Sequence, residues 1–276
     1  MKYLNELNLN ELNPASQKAA QKGYIFKTSA QAQMINSFDY LFSGKVTLEG
    51  NGKTQSIPCF NLPNIYVQAQ FLQLVKWNKE KIFNRVPEQE MENFVKFLNY
   101  LKTFKMCVNC SSCRKLCYNN QIYNFRDTKA IADLRQLYLI VNDRQYIINK
   151  LIALTNNAKY VRLNGSGEIH NEYILSFYKE LAKKQSDTIF YTYTKNYDLI
   201  AGKKLPKNLI INLSDFNNNF NRDLFPKNFN IYKAIPKSEY EKIEETKIIK
   251  KCYGQNCSTC KLCTKKKGLI IYEAIK

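Results

Sequence analysis

The chain has 276 residues, with nine cysteines, a single histidine and a formal net charge of +19. This length allows one large domain or two small ones, and such a chain buries enough surface to fold without metal or disulfides. No run approaches 18 consecutive apolar residues and the first residues lack a signal-peptide core, so we expect neither a membrane span nor secretion. We therefore expect a cytoplasmic protein. In that reducing compartment cysteines serve as metal ligands or reactive thiols before they form disulfides.

The positive charge favours a polyanionic partner, and nucleic acid is the expected one. A second explanation stays open, because Lys and Asn are abundant throughout the sequence, as is typical of an AT-rich genome. Lysines beside an anionic iron–sulfur cluster would also offset its charge.

Hydrophobic periodicity predicts mostly helices in the first half of the chain. The predicted elements are a polar segment that ends as a helix near residue 44, a strand over 45–48, an extended stretch over 56–63, and helices over 66–84, 87–105 and 127–156. In the second of these helices, an apolar stripe predicts a packed face; its members are Phe94, Phe97, Leu98, Leu101 and Phe104.

Strands and helices alternate from residue 160 onward. Strands are predicted over 161–166, 188–194, 208–213, 230–235 and 268–272, and a helix over 171–184. Nearly continuous apolar strands that alternate with helices indicate a parallel sheet covered by helices. The predicted fold class is therefore α/β, with the parallel strands forming a partial or complete barrel.

Eight of the nine cysteines fall into two runs of four, with the spacings C-x2-C-x2-C-x3-C and C-x4-C-x2-C-x2-C. Short gaps let a tight loop direct successive sulfurs to one centre, and the first spacing is that of ferredoxins that hold a 4Fe–4S cluster. Four thiolates also suit tetrahedral zinc, which stays an alternative metal. The predicted metal ligands are Cys107, Cys110, Cys113, Cys117, Cys252, Cys257, Cys260 and Cys263. The ninth cysteine, Cys59, is expected to be a small buried residue.

Polar residues follow three successive predicted strands. In parallel sheets ligands bind at the carboxyl ends of the strands, so these residues predict a site, although a plain strand–helix turn is an equally good explanation. The predicted cofactor-binding residues are Gly165, Ser166, Gly167 and Glu168, and the predicted catalytic residues are Glu168, Lys195 and Asp215. His170 is expected to be a solvated loop residue, with an acid–base role as the alternative.

Five sequence stretches occur in an order shared with a known family. They are GNGKTQSIPCFNLP, CRKLCY, VRLNGSGEIHNEYI, FYTYTK and CYGQNCSTCKLCTKKKG, from about residue 45 to the end. In this order they resemble the phage gene 88 protein family. The resemblance implies a helical insertion over 64–106 and a first cluster of three cysteines, to which Cys110 is additional. Asn164 stands where the family's strand motif has a histidine, and Glu168 where it has an aspartate.

The layout also resembles, more distantly, radical SAM enzymes. In those enzymes a three-cysteine loop holds a 4Fe–4S cluster whose open iron binds S-adenosylmethionine, and a Gly-Gly-Glu strand end holds the methionine amine. The resemblance implies a partial TIM-type barrel, with residues 165–168 at the cosubstrate. Here the spacing is C-x2-C-x3-C rather than C-x3-C-x2-C. If Cys110 also ligates, no iron is open, whereas a free Cys110 leaves a site that can be catalytic.

These observations divide the chain into three predicted segments. They are an N-terminal polar and helical segment over 1–44, a barrel-like domain over 45–245 that includes the insertion and the first cysteine cluster, and a C-terminal cysteine-rich appendage over 246–276. We expect an iron–sulfur protein of phage or prophage type in the host cytoplasm, with one or two 4Fe–4S clusters. It is either a radical-SAM-like enzyme or a non-enzymatic, metal-stabilised protein that binds nucleic acid or modulates a host protein.

Overall fold

The computed structural model describes residues 34–49, 57–108, 123, 127–215, 223, 225–254, 256–265 and 267–274. Its residues fall into a helical unit and a sheet unit. The helical unit takes the described residues within 1–47, 61–107 and 116–151, and the sheet unit takes those within 48–60, 108–115 and 152–276.

The helical unit contains five helices and two short 3-10 turns within the described residues. The helices are α1 (Ile65–Trp77), α2 (Lys79–Phe83), α3 (Met91–Thr103), α4 (Asp127–Asn142) and the first part of α5 (Arg144–Thr155), and the 3-10 turns are Phe38–Phe42 and Glu88–Glu90. The predicted stripe is confirmed along α3, where Phe94, Phe97, Leu98 and Leu101 are fully buried, whereas Phe104 lies just past the end of the helix and is half-buried. Phe94 packs against Phe38, and Phe97 against Phe71, in an aromatic core.

Two of the predicted helices are each divided into two by a short polar residue. The predicted helix over 66–84 ends at Asn78, whose amide donates to the Leu74 carbonyl at 3.2 Å. The helix predicted over 127–156 breaks at Asp143, whose carboxylate accepts from the Tyr146 amide at 3.0 Å. Asn and Asp favour such positions because their side chains replace backbone hydrogen bonds at helix ends.

In the part of the chain that the structure describes, the sheet unit is built on seven parallel strands. They are β1 (Cys59–Phe60), β2 (Tyr160–Leu163), β3 (Ile189–Thr194), β4 (Leu209–Asp215), β5 (Ile231–Ile235), β6 (Ile249–Cys252) and β7 (Ile270–Ala274). Their order is β1-β2-β3-β4-β5-β7-β6, so β7 lies between β5 and β6. The helices of this unit are α6 (Glu172–Lys184), α7 (Tyr197–Ile200), α8 (Lys237–Glu241) and α9 (Cys257–Cys260).

Helix α6 covers one face of the sheet and returns the chain between β2 and β3. Asn171 caps its start by accepting from the Ile174 amide at 3.0 Å. Its buried stripe includes Phe177 and Tyr178, and the Phe177 ring lies 6.2 Å from that of Phe60 on β1. This crossover is the connection that parallel strands require.

The structure confirms the α/β class and the parallel sheet. Within the described chain the sheet is open, with β1 and β6 as its edges, so closure into a barrel stays a prediction. The predicted strand over 45–48 is wrong: this backbone is irregular and only Glu49 pairs, through an isolated antiparallel bridge to Cys59. The segment 246–276, predicted to be an appendage, contributes β6 and β7 to the sheet. No helix in the described ranges is long and apolar enough to cross a bilayer.

Candidate functional site

One face of the sheet carries side chains that meet the C-terminal cysteines. Because side chains alternate along a strand, residues in register on neighbouring strands share a face. Cys59 of β1 is in register with Arg162 of β2, which is in register with Tyr191 of β3. Cys257 and Cys263 pack against the buried cluster around Tyr191. We call this side of the sheet the cysteine face, and Cys59 is buried on it, as predicted.

The four C-terminal cysteines lie on a short folded segment, from Cys252 to Cys263, which we call the cysteine segment. Cys252 ends β6, Cys257 and Cys260 bound α9, and Cys263 lies in a 3-10 turn, Leu262–Thr264. Asn256 starts α9 by accepting from the Ser258 amide at 2.9 Å, and Lys261 ends it in the left-handed conformation, with φ of 56°. All four residues are partly exposed when backbone and side chain are taken together.

The thiol of Cys263 is the centre of this group. Burial raises its pKa to about 12. A hydrogen bond from Tyr193 lowers this pKa, whereas the charges of the neighbouring Cys252, Cys257 and Cys260 raise it further. All three other thiols are thus within electrostatic range of Cys263. Even so, among the residues the structure describes, no group of three His, Cys, Asp or Glu side chains is arranged so that it could hold a metal ion.

Two asparagines anchor the cysteine segment to the sheet. Asn212 of β4 donates to the Cys263 carbonyl at 3.1 Å. Asn230, just before β5, donates to the Asn212 side chain at 2.9 Å and to the Lys265 carbonyl, and it accepts from the Leu269 amide at 3.0 Å. Both asparagines are fully buried, so the segment after Cys263 is fixed by side chains of the sheet itself.

A second group of polar residues lies at the carboxyl ends of β2 and β3. Glu168 is buried and accepts from two backbone amides, that of Ile169 at 2.8 Å and that of Lys195 at 3.0 Å. Burial raises the pKa of this carboxyl, while the Lys195 charge, a hydrogen bond from Thr194 and the two amides lower it. The structure therefore brings together Glu168 and Lys195, two of the predicted catalytic residues.

Asp215, the third of them, ends β4 and pairs with a lysine of the next strand. Its carboxylate lies 3.0 Å from the Lys233 ammonium of β5. Tyr197 links this pair to the Glu168 group. Burial raises the pKa of its phenol to about 12. The charges of Asp215 and Glu168 raise this pKa too, and the charge of Lys195 lowers it. Its hydroxyl donates to the Ser214 carbonyl. Glu168, Lys195, Tyr197 and Asp215, at the ends of β2, β3 and β4, thus form with Lys233 of β5 one electrostatically connected cluster, which we call the strand-end cluster.

The turn after β2 is more buried than predicted. His170 is only 7% exposed, so the prediction of a solvated loop residue is wrong. Its ring nitrogen Nδ1 lies 3.2 Å from the Glu168 carbonyl, and burial lowers its pKa to about 4. The turn folds inward because Asn196 donates to the Ile169 carbonyl at 3.0 Å. Gly167 supplies a φ of 82°, a conformation that glycine adopts without strain.

Asn164, where β2 ends, is also fixed in place. It adopts a φ of 54°, and its side-chain oxygen accepts from the Tyr178 hydroxyl at 2.5 Å. Ser166 beside it is buried as well. The predicted cofactor-binding residues therefore lie on a rigid turn at the strand end.

A family model matches most of the chain. The model described as Gene product 88 matches residues 73–271, from α1 to β7. The chain belongs to the Gene product 88 family. The predicted resemblance to the phage gene 88 family is thereby confirmed. For this Gene product 88 member, no curated protein and no solved structure gives a match.

Of the first cysteine cluster in this Gene product 88 chain, only Cys107 falls among the described residues, where it is partly exposed. Cys110, Cys113 and Cys117 lie outside them. Sequence reasoning did not single out four residues of the two sites, Tyr191, Tyr193, Tyr197 and Lys233, and it noted Arg162 only as a match to the family's strand motif. The alternation of aromatic residues in FYTYT was the one available signal for the tyrosines of β3, since it places them on a single face.

Proposed function

We propose that this chain is an iron–sulfur protein whose C-terminal cysteines hold a cluster. The observation that supports the proposal is the grouping of three thiols within electrostatic range of Cys263, on a segment tied to the sheet by buried asparagines. The donor set fits such a group, because soft thiolate ligands suit iron–sulfur clusters and zinc. A cationic metal would also favour the deprotonated form of a thiol whose pKa is otherwise high.

The residues that would hold this cluster are Cys252, Cys257, Cys260 and Cys263. For a second cluster, at Cys107, Cys110, Cys113 and Cys117, the support is the ferredoxin-like spacing. Lys265 and Lys267 follow the C-terminal ligands and are exposed, so their charges would offset part of the negative charge of a thiolate-ligated cluster.

The test is the content of iron, sulfide and zinc per chain after anaerobic purification. Two 4Fe–4S clusters require eight irons, and one requires four. We expect Cys263→Ser to lower iron and sulfide by one cluster. Cys59→Ala is the matched control, because it removes a cysteine of the same sheet face that lies outside both runs. Zinc without iron or sulfide would overturn the iron–sulfur proposal.

A second candidate function is radical-SAM-like catalysis, which the strand-end cluster favours. Glu168 is a buried carboxylate on a glycine-containing turn at the carboxyl end of a parallel strand, where ligands bind in this type of sheet. A reduced cluster with an open iron would supply one electron for cleavage of the sulfonium bond. In this candidate Glu168 would bind the methionine amine, while Lys195 and Asp215 would orient the rest of the cosubstrate or the substrate.

This candidate is tested with reconstituted protein, dithionite as the electron donor and S-adenosylmethionine. Formation of methionine and 5′-deoxyadenosine supports it, and Glu168→Gln should lower their yield at unchanged iron content. Glu180→Gln on α6 is the control, since it neutralises a partly exposed glutamate of the same unit. An absence of both products from the iron-loaded protein would overturn radical chemistry and leave the iron–sulfur assignment in place.

A further inference from the structure

Two tyrosines of β3 reach the cysteine segment from the cysteine face of the sheet. Tyr193 makes a hydrogen bond to the Cys263 thiol. Tyr191 is 2% exposed and belongs to the cluster against which Cys257 and Cys263 pack. Its hydroxyl is buried and has no hydrogen-bond partner within the described part of the chain.

A buried hydroxyl without an acceptor is costly, so its position calls for an explanation. A neutral thiol is only a weak acceptor, whereas a thiolate is charged and accepts strongly. Metal binding converts cysteine thiols into thiolates. The acceptor that Tyr191 lacks would therefore arise beside it when the neighbouring cysteines ligate a metal.

Arg162 strengthens this arrangement. Its guanidinium lies 5.3 Å from the centroid of the Tyr193 ring. A cation over the ring face stabilises negative charge on the phenol and so makes its hydroxyl a better donor. Arg162 is also in register with Tyr191, which places one cation beside both rings.

We propose that Tyr191 and Tyr193 donate hydrogen bonds to the metal-bound thiolates of Cys257 and Cys263. They are positioning residues that fix the ligands and tune the metal centre. Partners of this kind typically contribute about 10- to 100-fold to metal affinity, and hydrogen bonds to cluster sulfurs shift the reduction potential. This inference rests on the proposed metal site, whichever thiophilic metal occupies it.

The experiment uses cobalt(II) as the probe metal, because its thiolate charge-transfer band reports the ligands directly. The variants are Tyr191→Phe and Tyr193→Phe. The control is Tyr160→Phe, which removes a hydroxyl from the same face that makes no hydrogen bond to a cysteine within the described chain. Loss of a donor leaves the thiolate electrons less stabilised. We therefore expect a band at longer wavelength and an affinity about tenfold weaker in chelator competition for both variants, with the control unchanged.

Folding and metal binding are separated by measuring the metal-free proteins. Tyr191→Phe should unfold at the same or a higher denaturant concentration than the unsubstituted chain without metal, because it removes an unpaired buried hydroxyl. In the iron form the midpoint potential should become more negative in both variants. Bands and affinities that match those of the Tyr160→Phe control would overturn the inference while the metal site stands. No cobalt uptake by the unsubstituted chain would overturn the metal site, and the inference with it.

Discussion

Burial controls the protonation of single side chains in the turn after β2. Glu168 and His170 lie two residues apart and both are less than 10% exposed. Burial raises the pKa of the carboxyl and lowers that of the imidazole, so both groups are shifted toward their neutral forms. Their contributions to stability therefore depend on pH in opposite directions.

The first prediction concerns His170. Its pKa is about 4 in the folded chain, against an ordinary value near 6.5 when unfolded. Between these values the unfolded chain binds more protons, so the free energy of unfolding falls as the pH is lowered from 6.5 to 4. His170→Asn keeps a donor near the Glu168 carbonyl and never ionises. We therefore expect the free energy of unfolding of this variant to fall by about 2–3 kcal/mol less than that of the unsubstituted chain over this pH range.

Urea unfolding of both proteins, in a series that runs from above pH 7 down to pH 4, measures this difference. Above pH 7 the imidazole is neutral in both states, so the gap between the two proteins should be constant there and serves as the internal control. If the free energies of unfolding of the two proteins stay a constant distance apart down to pH 4, a buried neutral imidazole is contradicted.

At the scale of single elements, α4 carries a buried ion pair. The Lys129 ammonium lies 3.0 Å from the Asp133 carboxylate, which also accepts from the Tyr123 hydroxyl at 2.5 Å, and both partners of the pair are almost fully buried. The pair has the i,i+4 spacing of surface helix pairs, and helical periodicity alone does not distinguish it from an exposed one. Its location follows only from how α4 packs.

The second prediction compares this pair with an exposed pair of the same spacing. Asp133→Ala removes a carboxylate that two buried groups share, and should lower the free energy of unfolding by about 3–5 kcal/mol. Glu180→Ala removes the partner of Lys184 on α6, where the charges lie 3.4 Å apart and both side chains are partly exposed, and should cost no more than about 0.5 kcal/mol. Equal losses in thermal or urea unfolding would show that burial does not distinguish the two pairs.

The third prediction concerns the asparagines that anchor the cysteine segment. Asn230→Ala leaves the Asn212 oxygen and the Lys265 carbonyl without their donor, and should cost about 2 kcal/mol or more. It should also weaken metal binding, because the segment after Cys263 loses its attachment. The control is Asn208→Ala: its amide donates to three carbonyls of another loop, those of Ala182, Gln185 and Thr188, so it should lower stability without weakening metal binding.

Chelator competition on both folded variants separates the two effects. Equal metal affinities would mean that the anchoring contributes to stability alone.

For the whole molecule, the parallel sheet could be predicted because most of its strands are apolar. Strands β3, β4, β5 and β7 were predicted within two residues of their ends, whereas β2 ends three residues earlier than predicted. Strand β6, IKKC, was not predicted, because two lysines in an edge strand resemble a solvated loop. The grouping of Cys252 with Cys257, Cys260 and Cys263 follows from the spacing, whereas their contact with Tyr191 and Tyr193 depends on the order of strands and cannot be read from local sequence.

The fourth prediction tests the net charge of +19. If the chain binds nucleic acid, the logarithm of the association constant should fall linearly with the logarithm of salt concentration, because bound phosphates release counterions. Neutralising Lys265 and Lys267 to Gln should reduce the slope by about 2 if both contact phosphates. Lys76→Gln with Lys81→Gln, two exposed lysines of the helical unit, is the charge-matched control.

Filter binding or anisotropy across a salt series gives both slopes. Binding that does not respond to salt, or no binding at all, would leave the charge explained by the composition of the genome.

The position of β7 between β5 and β6 has a consequence for how the chain matures. Cys252 lies on β6, and within the described sheet β6 pairs with β7 alone, which comes last of these strands in the chain. The first of the four C-terminal cysteines is therefore docked only when β7, which follows all four in the chain, joins the sheet. A metal or cluster donor can meet these cysteines while the segment is still unattached, and the pairing of β7 would then close the sheet around an already loaded loop.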